Sequence, residues 1–345
     1  RPLMAMLSAH PAPVPSRALQ GILCVEIGML LFVGQDAMMK SLLAIFPVWM
    51  LIFVRSVVTV LVLTPLILWL GGPHRLMTPL WPLHMARAFL FASGFSMFYA
   101  AFPFMGLAEV STIFFSAPLI TALFAALFLG ETIGLHRTAA LVVGFVGVLI
   151  AMNPAGENFS WVAILPFFCA VTYALSQIIA RRIGERESTL TVGLYTLSFA
   201  GLMILPMGWA VSDLIPLGPE THHLRWDMSV AGTDALPQLA LLGLVGMAGY
   251  MLLSRAYQIA NASLIAPFDY TYLPFAAVLA YLLWDERPAL STLAGMTLII
   301  GSGLYLGWRE LRAARRSDDT PYTAEAIFAP GSPLPAQIPE DEALK

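Results

Sequence analysis

Long uninterrupted apolar runs dominate this sequence. Ten of them come close to the roughly 20 residues that a helix needs to cross a bilayer. They cover approximately residues 18–41, 47–70, 81–104, 107–129, 135–152, 160–181, 189–213, 236–259, 263–284 and 291–311. The strands of a membrane barrel alternate apolar and polar residues, and these runs do not. The hydrocarbon core has no water to satisfy an open backbone, so the expected fold class is an all-α integral membrane protein. Composition agrees: 59% of the 345 residues are hydrophobic and 11% are charged, against about 25% charged in a soluble domain. A net charge of −3 supplies no basic surface for nucleic acid. The partners to expect are membrane lipid and a small molecule.

The flanks differ from this core. Residues 1–17 are Pro-rich and lack the charged-then-apolar design of a signal peptide, so a short cytoplasmic arm is expected there. Residues 312–345 are polar, Pro-rich and acidic, the composition of a disordered tail. Cys24 and Cys169 both lie in apolar runs and suggest neither a disulfide framework nor a metal site.

Ten spans place both termini on one side. That side then collects Arg17, Arg75, Arg137, Arg181, Arg182, Arg186, Arg309, Arg312, Arg315 and Arg316, while the other holds little more than Lys40, Arg225 and Arg287. Cytoplasmic loops are the ones enriched in Lys and Arg, so both termini are expected in the cytoplasm, with the bundle in the inner membrane.

The chain also carries an internal repeat. AFPFMGLAEVSTIFFSAPLITALFAALFLGE (101–131) aligns without gaps over AYQIANASLIAPFDYTYLPFAAVLAYLLWDE (256–286). Each has a proline in mid-run, Pro118 and Pro274, and each ends on an acid, Glu131 and Glu286. Gln35 and Lys40 of FVGQDAMMK likewise align over Gln177 and Arg182 of ALSQIIARR. Residues 18–152 and 153–311 thus read as two repeats of five helices, and an odd number per repeat inserts the second upside down relative to the first. Inverted repeats with a binding site at their interface are a transporter design.

The acid-ended fourth and ninth runs (LFLGE, LLWDER), the Gly-bearing runs that follow them (LVVGFVGVLIA, LAGMTLIIGSGLYLG) and Arg55 in PVWMLIFVRSVV resemble the drug/metabolite transporter superfamily, specifically its ten-helix EamA-type exporters. The first corner reads GET, so no arginine follows Glu131. The resemblance spans roughly 18–311. It implies export of amino acids or similar metabolites, with aromatic amino-acid and threonine/homoserine exporters nearest in type. It also implies a path lined by helices 1–4 and 6–9, with helices 5 and 10 as scaffold.

Ionisable groups at membrane depth cost at least about 2.5–3.5 kcal/mol each and turn toward the bundle interior. Asp36 and Arg55 fall at similar depth on consecutive helices, and an ion pair between them would brace the two. Lys40, one turn after Asp36, could compete for the same carboxylate. A second set, Glu26, His84, Arg87, Arg255 and Asp269, lies nearer the cytoplasmic side. Arg87 or Arg255 would suit a substrate carboxylate and Glu26 or Asp269 an ammonium; alternatively the two arginines snorkel to the interface as anchors. Tyr99, Tyr173 and Tyr250, with Gln35 and Gln177, are expected to line a pocket, and Tyr257, Tyr270 and Tyr272 to sit at helix ends as belt residues. Pro118, Pro267 and Pro274 are expected to kink their helices. Gly243, Gly246 and Gly249, and the GxxxG of Gly303 and Gly307, point to close helix packing.

No metal-binding, nucleophile-elbow or ATP-loop motif occurs in the sequence. The reading is a secondary transporter without a cofactor and not an enzyme, exporting amino acids or similar metabolites by alternating access. A passive facilitator of the same fold and an integral-membrane lipid-modifying enzyme are the alternatives.

Overall fold

The apolar runs fold as helices. A computed structural model describes residues 15–71, 76–129, 134–154, 160–183, 186–228, 235–259 and 265–314, and no strand occurs among them. Six helices belong to the first half: α1 (Pro15–Leu42), α2 (Val48–Leu70), α3 (Trp81–Ala100), α4 (Leu107–Phe114), α5 (Ala117–Leu129) and α6 (Leu135–Met152). Five belong to the second: α7 (Ile164–Ile183), α8 (Thr189–Leu214), α9 (Leu236–Ile259), α10 (Tyr272–Trp284) and α11 (Leu290–Ala314). Short 3₁₀ turns precede α7 and α10, at Trp161–Ala163 and Ala266–Thr271, and a third covers Pro219–Leu224. The arm before residue 15, most of the tail and the corner acid Glu131 lie outside the described residues.

Eight helical stretches are long and apolar enough to cross a membrane, with α4 and α5 together forming one of them. Of the ten expected windows, two miss that standard, for different reasons. Helix α3 carries His84 and Arg87, and eleven of its twenty residues are buried, so its neighbours rather than lipid solvate it. Helix α10 has only 13 residues, about 20 Å of rise against a hydrocarbon core of roughly 30 Å. Ahead of it in the ninth window lies the Ala266–Thr271 turn. Large apolar side chains such as Leu61, Leu68, Leu127, Leu149, Leu202 and Leu282 face outward, as expected where lipid is the solvent.

Helix α1 packs along α9, α3 along α7 and α8, and α2 along α8 and α9; α5 meets α7 and α10 meets α1. At the edge, α6 packs on α11. Small residues allow this contact. A Cβ on Gly295 would lie 2.4 Å from the Gly147 carbonyl oxygen and 2.6 Å from the Ala151 Cβ. The glycines of α9 serve different neighbours: Gly243 receives Val58 of α2, Gly246 receives the amide of Gln35, and Gly249 abuts Gly28 of α1. The expected GxxxG contact is not made as a pair. Gly303 accommodates the Tyr270 hydroxyl, whereas nothing lies within 4 Å of a Cβ on Gly307.

The prolines break helices rather than kink them. Helix α4 ends at Phe114 and α5 starts at Ala117, with Pro118 in its first turn; Pro267 lies in the 3₁₀ turn and Pro274 in the first turn of α10. Proline removes a hydrogen bond from a helix interior but costs nothing in the first turn, where the N–H has no helical acceptor. Helices α5 and α10 both run 13 residues, and their starts lie 155 positions apart (272 − 117), the offset of the sequence repeat. Continuous helices do enclose two other prolines, Pro65 in α2 and Pro206 in α8.

At the arginine-poor end, the connection between α8 and α9 folds back over the bundle as a strap. The Trp49 indole N–H donates to the Leu224 carbonyl at 2.8 Å, and the backbone N–H of Trp226 donates to the Ser212 hydroxyl at 3.0 Å. His223 is fully buried, and its Nε2–H donates to the Ala100 carbonyl at 3.2 Å at the end of α3. Burial, with a smaller contribution from His222, lowers the His223 pKa below its ordinary 6.5. The docked strap therefore resists a proton that the undocked strap accepts. Docking should be fully stable above about pH 6.5 and weaken as pH falls from there through the lowered pKa. Once the intrinsic slowing of amide exchange in acid is divided out, the protection of residues 220–226 should fall between pH 7 and pH 5, and His223→Gln should flatten that dependence.

Candidate functional site

Five helices converge on a small cavity near the middle of the bundle. Gln35 and Asp36 come from α1, Arg55 from α2, Tyr99 from α3, Leu197 from α8, and Gly246 and Tyr250 from α9. Phe32, Phe91 and Phe95 complete an aromatic wall. The enclosed space is about 40 Å³, enough for a few waters.

Asp36 anchors the polar side. It is 3% exposed, and its carboxylate accepts hydrogen bonds from the Tyr99 hydroxyl at 3.1 Å and the Tyr272 hydroxyl at 2.6 Å. Arg55 donates from Nη1 to the Tyr99 oxygen at 2.6 Å, with its guanidinium 5.6 Å from the centre of that ring. The Gln35 amide is satisfied when its oxygen faces the guanidinium and accepts from both Nη1 and Nη2 at 3.1 Å. The expected direct ion pair between Asp36 and Arg55 is therefore replaced by a relay: Arg55 donates to Tyr99, which donates to Asp36. A tyrosine hydroxyl can both accept and donate, which suits it to this position.

Other sequence candidates fall elsewhere. Arg87, fully buried on α3, reaches α7, where its Nε donates to the Ser176 hydroxyl at 3.2 Å and its Nη2 to the Gln177 amide oxygen at 3.3 Å. Gln177 in turn donates to the Tyr173 hydroxyl at 3.1 Å, while the Tyr173 ring sits edge-on to Phe95 and Phe114. Asp269 is fully buried and accepts from the Tyr257 hydroxyl at 2.9 Å, away from the cavity lining. Glu26 is half-buried beside Thr271. His84 is fully buried and stacks on Tyr195 at 4.9 Å between ring centres.

Arg255 departs furthest from expectation. It is exposed and does not line the cavity, and the anchor alternative describes it better. Arg255→Ala should consequently leave transport within about twofold of the parent in a vesicle flux assay.

Sequence reasoning also misplaced Tyr272 and Lys40. Tyr272 is no belt residue: it is fully buried and bonded to Asp36. Its position two residues before Pro274, at the start of a new helix, was the available signal, because a helix start places a side chain at a break in the bundle. Lys40 turns away from Asp36 and pairs with Glu286. It also donates to the Met105 carbonyl at 3.0 Å. These groups border a second, larger cavity of about 710 Å³ at the arginine-poor end, a vestibule that also contacts Phe104, Glu109, His222 and Trp284.

At the arginine-rich end, the connection before α3 is fastened to α8 and its lead-in. The Thr78 hydroxyl hydrogen-bonds the Glu187 carboxylate, and the Tyr195 hydroxyl donates to the Leu76 carbonyl at 2.7 Å. Polar contacts thus fasten both ends of the bundle.

Comparison with known proteins places this site in context. The model of the EamA-like transporter family matches residues 19–153 and again 160–307. An S-adenosylmethionine uptake transporter of Rickettsia bellii is 27% identical over 76% of this chain and 84% of its own. A riboflavin transporter of Rhizobium johnstonii is 29% identical over 68% and 72%, respectively. The pseudopaline exporter CntI of Pseudomonas aeruginosa is 27% identical over 81% of this chain and 93% of its own. A crystal structure described only as that of a protein superposes with a TM-score of 0.55 at 19% identity, covering 87% of this chain and 99% of the other, and shows likeness of fold alone.

Proposed function

We propose that this chain, which belongs to the EamA-like transporter family, exports a small metabolite with an amino-acid-like head and a flat or aromatic body across the inner membrane. The observation that carries this reading is the central cavity, where the carboxylate of Asp36 and the guanidinium of Arg55 are held one hydroxyl apart against Phe32, Phe91, Phe95 and Tyr250. A substrate ammonium can approach Asp36 and a substrate carboxylate can take the place of Tyr99 on Arg55, while the rings contact an apolar body. The relatives' names are compatible with such a site. S-adenosylmethionine joins an amino-acid head to a purine, and riboflavin has a flat ring system.

Transport follows from alternating access of two inverted repeats, 18–152 and 153–311, with ten spans and both termini cytoplasmic. The helix pairing supports this. Exchanging the halves maps α1 against α9 onto α7 against α3, α3 against α8 onto α9 against α2, and α5 against α7 onto α10 against α1. The pairs α2 with α8 and α6 with α11 map onto themselves. In this conformation the cavity is far too small for a metabolite, so loading requires one of the two fastened ends to open.

Purified protein in proteoliposomes should exchange radiolabelled substrate from a panel of aromatic amino acids, adenosyl amino acids and flavins. Absence of flux above empty vesicles for every member would overturn the reading. Inside-out membrane vesicles should accumulate the substrate if export is the direction. Accumulation confined to right-side-out vesicles would instead assign uptake.

A further inference from the structure

We propose that the Lys40–Glu286 pair is the outer gate of the transport path, a latch that must part for the central cavity to communicate with the vestibule at the arginine-poor end. The inference rests on the transport reading above and on three observations of its own.

The first is position. Lys40 lies one turn beyond Asp36 on α1, so a single helix lines the cavity with one residue and the vestibule with the next of that face. The Tyr99 and Tyr272 hydroxyls both donate to the Asp36 carboxylate. The second is connectivity. Glu286 binds Lys40 through one carboxylate oxygen and accepts the backbone N–H of Leu107 at 3.1 Å through the other, while Lys40 also holds the Met105 carbonyl at 3.0 Å. Two side chains thereby tie the end of α1, the start of α4 and the corner between α10 and α11. The Lys40 ammonium also sits 5.2 Å from the Trp284 ring centre. The first N–H of a helix is an unsatisfied donor that favours a carboxylate, so Glu286 is bound from two directions.

The third observation is burial. The side chains are 11% and 26% exposed, so the pair is half-buried at the vestibule's edge rather than lost in the core. Both charges can be rehydrated when the latch parts, which suits a reversible contact better than a fully buried pair would. The sequence repeats the chemistry: Arg182 aligns with Lys40, and Glu131 with Glu286.

The test reads access rather than transport. A cysteine at Thr59, a residue lining the central cavity, is labelled with a membrane-impermeant maleimide from the arginine-poor side, with labelling of native Cys24 and Cys169 subtracted using the parent. Lys40→Met and Glu286→Gln should each raise the Thr59→Cys labelling rate at least tenfold. The double variant should raise it by the same factor as either single one, because a latch is lost once. Lys40→Arg should keep labelling slow. Where Lys40→Met does not elute as a folded species, Lys40→Gln takes its place. Unchanged rates in both single variants, or factors that multiply in the double variant, would overturn the gate. No substrate is involved, so this outcome is independent of the flux assay: a gate without flux would refute the transport reading alone, and flux without a gate would refute the latch alone.

Discussion

Asp36→Asn is expected to lower substrate flux by about a hundredfold or more while leaving the folded protein intact. The amide keeps the shape of the carboxylate, but Tyr99 bonds to Oδ1 and Tyr272 to Oδ2, so one hydroxyl keeps an oxygen to donate to while the other faces an NH2 and must turn to accept. What disappears is the charge. Among the residues lining the central cavity Asp36 is the only acid and Arg55 the only base. Its removal deprives a substrate ammonium of its partner, while half-buried Arg55 keeps its hydrogen bonds to Tyr99 and Gln35. A hydrogen bond to a charged group contributes about 1.5–3 kcal/mol, and every tenfold of rate corresponds to about 1.4 kcal/mol. Flux in proteoliposomes and the melting temperature in detergent should separate the two effects, with a large fall in the first and little change in the second. Flux above a tenth of the parent's value would remove Asp36 from the substrate site.

The largest loss of stability is expected at the seam between α6 and α11. A Cβ on Gly295 would meet the Gly147 carbonyl oxygen at 2.4 Å, a backbone atom that no rotamer change can move aside. Overpacking by one methyl costs about 1–3 kcal/mol where neighbours can adjust, so Gly295→Ala should visibly lower the melting temperature and Gly295→Leu should abolish the folded species. Gly301, on the same helix with nothing within 4 Å of an added Cβ, provides the control, and Gly301→Ala should melt as the parent does. Equal melting of the Gly295 and Gly301 variants would show that the seam relaxes more than its geometry allows.

Legibility in the sequence differed from feature to feature. The membrane-spanning, helical character was plain, since long apolar runs report the solvent directly. The break in the ninth span was readable from the repeat, because a proline in each half pointed to the same interruption and α5 and α10 begin at matching positions. It was misread only in kind, as a kink. Helix α3 was harder: His84 and Arg87 lower its hydropathy, yet its neighbours cover them, and burial by neighbours is not a property of the segment itself.

Within the site, Gln35, Tyr99 and Tyr250 were expected to line a pocket and Asp36 and Arg55 only to brace α1 and α2, and the structure brings all five together around one cavity. Arg87, Tyr173 and Gln177 were picked out by polarity and depth and form a separate chain between α3 and α7. Asp269 was the most conspicuous acid in the sequence, but it bonds to Tyr257 away from the cavity. Depth along a helix follows from residue number at about 1.5 Å per residue. Direction around the helix advances by about 100° per residue, so the facing neighbour depends on how each helix is rotated in the bundle.

That difference separates the two sources of information. By itself, the sequence determined the bilayer as solvent, helices as the means of crossing it, the family, and the position of each polar group along its helix, because each follows from the local order of apolar and polar residues. Only the tertiary structure decided that Lys40 meets Glu286 rather than Asp36, that Tyr272 turns inward to Asp36, that a hydroxyl separates Asp36 from Arg55, and that Arg255 is exposed and does not line the cavity. These outcomes depend on interhelical rotation and register, where a shift of one residue turns a side chain from one neighbour to another, and only the packing of all the helices together sets them.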